Sequence, residues 1–314
     1  MPTISRARVL AFAQLLRLPN VFTAFADVAL AGCVGLAVSP DWPPAAYWWR
    51  VLLLALASGS LYLGGMVWND YFDIEEDAKA RPFRPLPSGR VTTRTALVLG
   101  VLLLLAGLTF AGLAGLPGSD DWNPDPLGFA VGLGGLILLY DGGLKRTPLG
   151  PVGMAGCRFL NVLLGLSALP DDALSAGVRV HLAGVVGLYI VGVTWFARAE
   201  EGDSNRRQLI AAAGVIGLSL VAALLVRWRV NLDGPGGFLF PYLLVGFGFL
   251  VGLPVARAVR RPGPREVQSA VKRCVLGLVA LDAVLATAFL GAPGLLVLLL
   301  LPPALVLGKW VYST

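Results

Sequence analysis

The chain holds one histidine, His181, and three cysteines, and it carries little charge of either sign. A lone histidine argues against imidazole-ligated metals and against histidine acid–base chemistry. Cys33, Cys157 and Cys274 lie far apart with no C-x-x-C spacing, so neither a disulfide framework nor a zinc site is indicated. Only 14% of residues are charged, against 56% hydrophobic, and the mean hydropathy is +0.75. That balance excludes an ordinary soluble globular chain. What is abundant is Gly (39) and Pro (22), which membrane helices tolerate because their neighbours restore broken backbone hydrogen bonds.

Apolar runs long enough to cross roughly 30 Å of hydrocarbon occur at about 18–38, 46–68, 93–116, 126–141, 151–169, 178–197, 207–227, 237–257, 267–290 and 292–311. The fourth is short, and only Gly291-Ala-Pro-Gly294 separates the last two. The expectation is a single all-α membrane bundle of nine or ten helices, one domain over 1–314. Leu30-Ala-Gly-Cys33 has the form of a lipoprotein cleavage box, but Asp27 interrupts the apolar region before it, so 18–38 reads as the first membrane helix.

Orientation follows from Lys and Arg. With the N-terminus in the cytoplasm, twenty of the 25 basic residues fall inside; Arg50, Arg179, Arg227 and Arg229 fall outside, and Arg158 lies within a span. This is a positive-inside pattern, and it accounts for the net charge of +6 without a nucleic-acid partner. The basic loop 257–272 needs only anionic lipid headgroups to explain it.

One cytoplasmic stretch stands out, Trp68-Asn-Asp-Tyr-Phe-Asp-Ile-Glu-Glu-Asp77, followed by Lys79, Arg81, Arg84 and Arg90. On a continuous helix Asp70, Asp73 and Asp77 stand at i, i+3 and i+7 and share one face. Clustered carboxylates repel unless a cation neutralises them, and hard oxygen ligands suit Mg²⁺, which completes its shell with water and phosphate. The basic residues downstream would hold the same phosphate. A solvated loop with acids and bases pairing across it is the plain alternative, but it gives no reason for three acids on one helical face.

Other polar residues are placed where apolar ones would be expected. Asn20, Thr23 and Asp27 form a stripe on the first span, and Arg158 and Asn161 stand at i, i+3 in the fifth. Intramembrane charge is costly and faces a bundle interior. Asp282 in the ninth span reads as isolated, with a helix–helix hydrogen bond sufficient for it. Lys145 and Arg146, after the fourth span, are either ordinary positive-inside flanks or close over phosphate from a second side. Glu200 and Asp203, i and i+3 after the sixth, would present a second pair of oxygens; a short charged turn explains them equally well.

With this motif after the second span, R-P-x-R-P-L-P-S-G behind it and an acidic loop after the sixth, the chain resembles the UbiA superfamily of intramembrane prenyltransferases. Arg17-Leu-Pro-Asn20 and the loop from Tyr140 to Lys145 are similar too. The resemblance implies one or two Mg²⁺ ions held by two acidic motifs and binding an isoprenoid diphosphate. Carried over by position, Asn69, Asp70, Asp73 and Asp77 match the first motif, Arg84 is a diphosphate ligand and Glu200 is the metal ligand of the second. The family's D-x-x-x-D is here Arg198-Ala-Glu200-Glu201-Gly-Asp203. With Cys157-Arg158-x-x-Asn161, it looks like a divergent subgroup that includes EboC-like proteins.

The expected activity is Mg²⁺-dependent transfer of a prenyl group from an isoprenoid diphosphate to an aromatic ring or other small nucleophile at the cytoplasmic face of a bacterial cell membrane. Asp70, Asp73, Glu200 and Asp203 are the expected catalytic residues. Asn69, Lys79, Arg84, Lys145, Arg158, Asn161, Asn20, Tyr140 and Arg198 are expected to bind substrate. Trp68, Tyr71, Phe72, Tyr140 and Phe159 are candidate aromatic faces for a carbocation. The expected partners are the diphosphate, the acceptor and membrane lipids; no obligate protein partner is indicated. A transporter or lipid-binding protein on the same fold is the competing reading, since Asp27, Arg158 and Asp282 would suit a substrate path.

Overall fold

The computed structural model describes residues 6–38, 44–116, 122–198, 205–229 and 236–312, and all regular structure among them is helical. The helices are α1 (Arg6–Leu15), α2 (Val21–Val38), α3 (Pro44–Phe72), α4 (Ile74–Ala80), α5 (Thr93–Ala114), α6 (Asp125–Gly142), α7 (Gly150–Leu166), α8 (Ala176–Ala197), α9 (Arg206–Arg229), α10 (Gly236–Arg260), α11 (Pro264–Leu290) and α12 (Leu301–Tyr312). Short 3₁₀ segments cover Leu18–Asn20, Leu144–Arg146 and Ala292–Leu300. The last of these continues into α12, so the final apolar run is one composite span.

Eight of these elements are long and apolar enough to cross a membrane by themselves. Gly150–Leu166 is a shorter apolar helix, and α6, at 18 residues, packs beside it and against α3 and α5. The ten expected runs therefore all appear as packed helical elements of an integral membrane protein.

Local chemistry sets the helix boundaries. Thr92 caps α5, its hydroxyl accepting from the Thr95 N–H at 3.2 Å, a contact worth about 1 kcal/mol. Pro151 and Pro264 occupy the first turns of α7 and α11, where no intrahelical N–H is needed. α10 keeps Pro241 and Pro254 inside it. Leu102 and Leu105 of α5, Val221 of α9 and Val245 and Phe249 of α10 are exposed. In water such a belt would drive aggregation; on a membrane bundle it is the surface that meets lipid. α11 is the most enclosed span and packs on α2, α8 and α10. Helices α2, α3, α6, α7, α8 and α11 thus surround the interior in which polar groups gather.

Candidate active site

The acidic stretch does not form one helix. α3 ends at Phe72, Asp73 takes φ −97° and ψ 9°, and α4 begins at Ile74. The hydrogen-bond ladder survives the break: Asp73 N–H donates to Asn69 O at 3.1 Å and Asp77 N–H to Asp73 O at 2.8 Å. The expectation that three carboxylates share a face is corrected by this kink. Asp70 and Asp77 turn towards Arg84, while Asp73 turns towards the Leu144–Arg146 segment.

Each carboxylate is met by a basic side chain. Arg84 Nη1 donates to Asp77 Oδ2 at 2.5 Å and reaches Asp70 Oδ1 at 3.5 Å. Arg84 is held by a turn whose Ser88 hydroxyl donates to Arg84 O at 2.6 Å, and which needs Gly89 at φ 73°. Lys145 Nζ lies 2.6 Å from Asp73 Oδ2 and 3.6 Å from Asp141 Oδ1, and Arg146 Nη2 donates to Asp73 Oδ1 at 3.0 Å. Arg17 Nη2 donates to Asp70 Oδ1 at 2.8 Å and to Asn69 Oδ1 at 3.0 Å. Asn69 Nδ2 in turn donates to Asp141 Oδ1 at 2.9 Å.

Arg17 is the one non-glycine residue with positive φ among the described residues, at φ 44° and ψ 46°. That conformation costs an L-residue about 1–2 kcal/mol. It ends α1 and lets the guanidinium reach Asn69 and Asp70. Arg17 and Asp141 both fall in stretches that carry the family resemblance, Arg17–Asn20 and Tyr140–Lys145, but the sequence assigns neither of them a role; Asp141 stands four residues before Lys145 on the α6 end.

Below this mouth lies a cavity of about 330 Å³. Asn20, Asn69, Tyr140, Arg158 and Asn161, all named from the sequence as candidate substrate-binding residues, line it. Its remaining walls are largely apolar, with Leu133, Ile137, Ile190 and Val193 among them. Arg158 Nη1 donates to Asp27 Oδ2 at 3.1 Å and Nη2 to the Thr23 hydroxyl at 2.6 Å, with the guanidinium 5.4 Å from the Tyr62 ring centroid. Asn161 Nδ2 donates to Asp27 Oδ2 at 2.7 Å.

Several expected residues stand elsewhere. Lys79 is exposed on α4 and pairs with none of the mouth's carboxylates. The Arg198 guanidinium donates to the backbone carbonyls of Lys145 and Thr147 at 2.7 and 2.6 Å. It braces the turn that carries Lys145 rather than facing the cavity. A Cβ at Gly150 would collide with it, so the glycine makes its room. Trp68, Tyr71 and Phe72 pack on one another, with Phe72 exposed, and Phe159 packs beside Gly187 of α8. Of the candidate aromatic faces, Tyr140 alone lines the cavity. Asp282 is not isolated: its carboxyl lies against that of Asp27. Glu200 and Asp203 lie outside the described residues.

The donor set at the mouth suits a hard cation, since Asp70, Asp73, Asp77, Asp141 and the Asn69 amide offer only oxygen ligands. Among the described residues no three acidic, histidine or cysteine side chains form a ready-made metal cage. Magnesium commonly takes one or two carboxylates and completes its shell with phosphate and water, and the mouth fits that mode.

The model of the UbiA prenyltransferase family matches residues 28–276. Among curated proteins, the digeranylgeranylglyceryl phosphate synthase of Methanospirillum hungatei JF-1 is 30% identical over 187 residues, 59% of this chain and 58% of that protein. The protein of the same name from Methanothrix thermoacetophila is 41% identical over 106 residues, 34% of this chain and 35% of that protein. The chain thus matches little more than half the length of the first relative and about a third of the second. A solved structure described as giving insight into digeranylgeranylglyceryl phosphate synthase in membranes superposes with a TM-score of 0.65 at 18% identity, over 90% of this chain and 99% of that one. A UbiA homolog from Archaeoglobus fulgidus bound to GPP and Mg²⁺ gives 0.59 at 12% identity, over 88% and 99%. At these identities the likeness is one of fold.

Proposed function

The chain belongs to the UbiA prenyltransferase family, and from that premise we propose that it transfers a prenyl group from an isoprenoid diphosphate to an acceptor. The observation that carries the reading is the mouth: four carboxylates interleaved with Arg17, Arg84, Lys145 and Arg146 above an apolar cavity. Four acids (Asp70, Asp73, Asp77, Asp141) against four bases leave no surplus positive charge. A diphosphate carrying several negative charges therefore needs added cations to bind there. Mg²⁺ would be held by Asp70 and Asp73 with Asn69 and Asp77, and when bound it would supply positive charge against the leaving diphosphate.

The chain's own groups do the rest. Arg84 and Lys145, now engaged with carboxylates, are placed to turn to phosphate oxygens once those carboxylates are otherwise neutralised. Leu133, Ile137, Ile190 and Val193 keep water from the allylic carbon as its C–O bond breaks. Tyr140 offers an aromatic face to the cation that forms. The positive-inside pattern supports a mouth at the cytoplasmic face, where the diphosphate would stay in water while its tail enters the apolar cavity. The relatives by name make a glyceryl phosphate carrying geranylgeranyl groups, so a glyceryl hydroxyl is the acceptor class we favour over an aromatic ring.

The test is an assay of purified protein with isoprenoid diphosphates of several lengths and glyceryl and aromatic acceptors, with and without Mg²⁺. Metal-dependent diphosphate release that Asp70→Ala abolishes supports the reading. Diphosphate binding without release, together with lipid flux in proteoliposomes, would favour transport instead.

A further inference from the structure

We propose that the protein carries a second binding site outside the mouth and its cavity: a pocket between the ends of α7, α8 and α9 that takes the phosphate of an anionic membrane lipid. The site stands apart from the prenyltransferase reading, and its test needs no turnover.

The pocket has a volume of about 640 Å³ and shares no lining residue with the central cavity. Arg146 stands on its α7 side, Trp195 and Arg198 at the end of α8, and Asn205 and Arg207 at the start of α9. All three helices are apolar, and α8 and α9 are long enough to cross a membrane. The pocket therefore lies at the level where hydrocarbon gives way to water. Trp195 suits that level, because an indole is an apolar body with one polar edge.

The uncommitted groups here are donors. Arg198 spends Nη2 on the Lys145 and Thr147 carbonyls, and its Nε and Nη1 have no partner among the described residues. Arg207 is exposed, and its guanidinium has none there either. Asn205 caps α9, its Oδ1 accepting from the Arg207 N–H at 3.0 Å, so its amide hydrogens remain. The Thr147 hydroxyl is used up, donating to Leu144 O and accepting from the Leu149 N–H.

Charge decides what these donors take. Among the described residues no carboxylate lines the pocket. Arg146 is matched by Asp73 and Glu76, but Arg198 and Arg207 are matched by nothing. The mouth balances its charges; this pocket has two in surplus. Guanidinium groups with no competing acid select an anion of several oxygens, and their fork fits phosphate. The start of α9 adds partial positive charge in the same sense.

The neighbouring surface says which phosphate. Leu149 and Val152 at the start of α7 and Ile210 on α9 are exposed. A Cβ on Gly214, one turn beyond Ile210, would meet nothing within 4 Å. An acyl chain can lie along this open apolar surface while its phosphate sits among the arginines, whereas a soluble phosphate ester would leave that surface unused.

The experiment counts lipids retained by the purified full chain in uncharged detergent, by native mass spectrometry, as dioleoylphosphatidylglycerol or dioleoylphosphatidylcholine is titrated. The first phosphatidylglycerol should bind about fivefold more tightly than phosphatidylcholine, and Arg207→Ala should remove most of that preference. Arg261→Ala, on the basic loop after α10, is the control and should leave it within about twofold. Thermal unfolding of the Arg207 variant should match the unmutated protein, since Arg207 has no partner to lose. Excess glycerol 3-phosphate should not displace the lipid. Equal binding of the two lipids, or an unchanged preference in Arg207→Ala, overturns the site. Displacement by glycerol 3-phosphate makes it a site for soluble phosphate esters and overturns the lipid assignment.

Discussion

Lys145 Nζ lies 2.6 Å from Asp73 Oδ2, joining side chains 72 residues apart. The pair ties the turn after α6 to the kink between α3 and α4, and Arg146 doubles it at 3.0 Å. It is also a lock: the cation that would grip phosphate is parked on the carboxylate that would grip metal. Exchange of partners on substrate binding is the simplest account of why acids and bases alternate around this mouth.

Lys145→Met should therefore weaken isoprenoid diphosphate binding by tenfold or more. It should lower stability by about 1–3 kcal/mol, because the Lys145–Asp73 pair is mostly buried while Arg146 still meets Asp73. Calorimetric titration and thermal unfolding of the same preparation separate the two effects. A large loss of stability with unchanged binding would make Lys145 a structural tie.

Arg17 allows a sharper comparison, since its left-handed backbone and its side chain do different work. Arg17→Ala loses the bonds to Asn69 and Asp70 and keeps the strained φ of 44°; Arg17→Gly loses the same bonds and relieves the strain. The glycine variant should be the more stable of the two by about 1 kcal/mol. Chemical denaturation in detergent measures the difference, and an alanine variant as stable as the glycine one would remove the strain from the account.

Arg158→Met should be far more damaging, in the range of about 3–5 kcal/mol, because it strands Asp27 as a buried charge. Adding Asp27→Asn to Arg158→Met should recover a good part of that loss. If the double variant is no more stable than the single one, the ion pair is not what makes Arg158 indispensable.

Chelation supplies a fourth expectation. With four acids against four bases at the mouth, farnesyl thiodiphosphate should bind at least tenfold more weakly in EDTA than in Mg²⁺. Equal affinity in both would mean that the basic side chains alone hold the diphosphate.

The sequence displayed the helical bundle and the first acidic motif because both are local patterns. Apolar runs need only length, and Asp70, Asp73 and Asp77 fall within eight residues. The kink at Asp73 was hidden because Ile74-Glu-Glu continues a helical pattern without proline or glycine. The roles of Arg17 and Asp141 are hidden because their shared partner Asn69 lies 52 and 72 residues away on another helix, and adjacency between membrane helices is set by packing that no single run encodes. Asp282 reads as isolated in the sequence for the same reason: it meets Asp27 only because α11 lies against α2. Arg158 and Asn161 were legible, since an arginine inside an apolar run demands a partner.

The most direct measurement is an experimental structure of the protein with Mg²⁺ and farnesyl thiodiphosphate. The account predicts metal and diphosphate density at the mouth between Asp70, Asp73, Arg84 and Lys145, with the prenyl chain entering the cavity past Tyr140. Diphosphate density elsewhere on the bundle, with the Lys145–Asp73 and Arg84–Asp77 pairs unbroken, would contradict it.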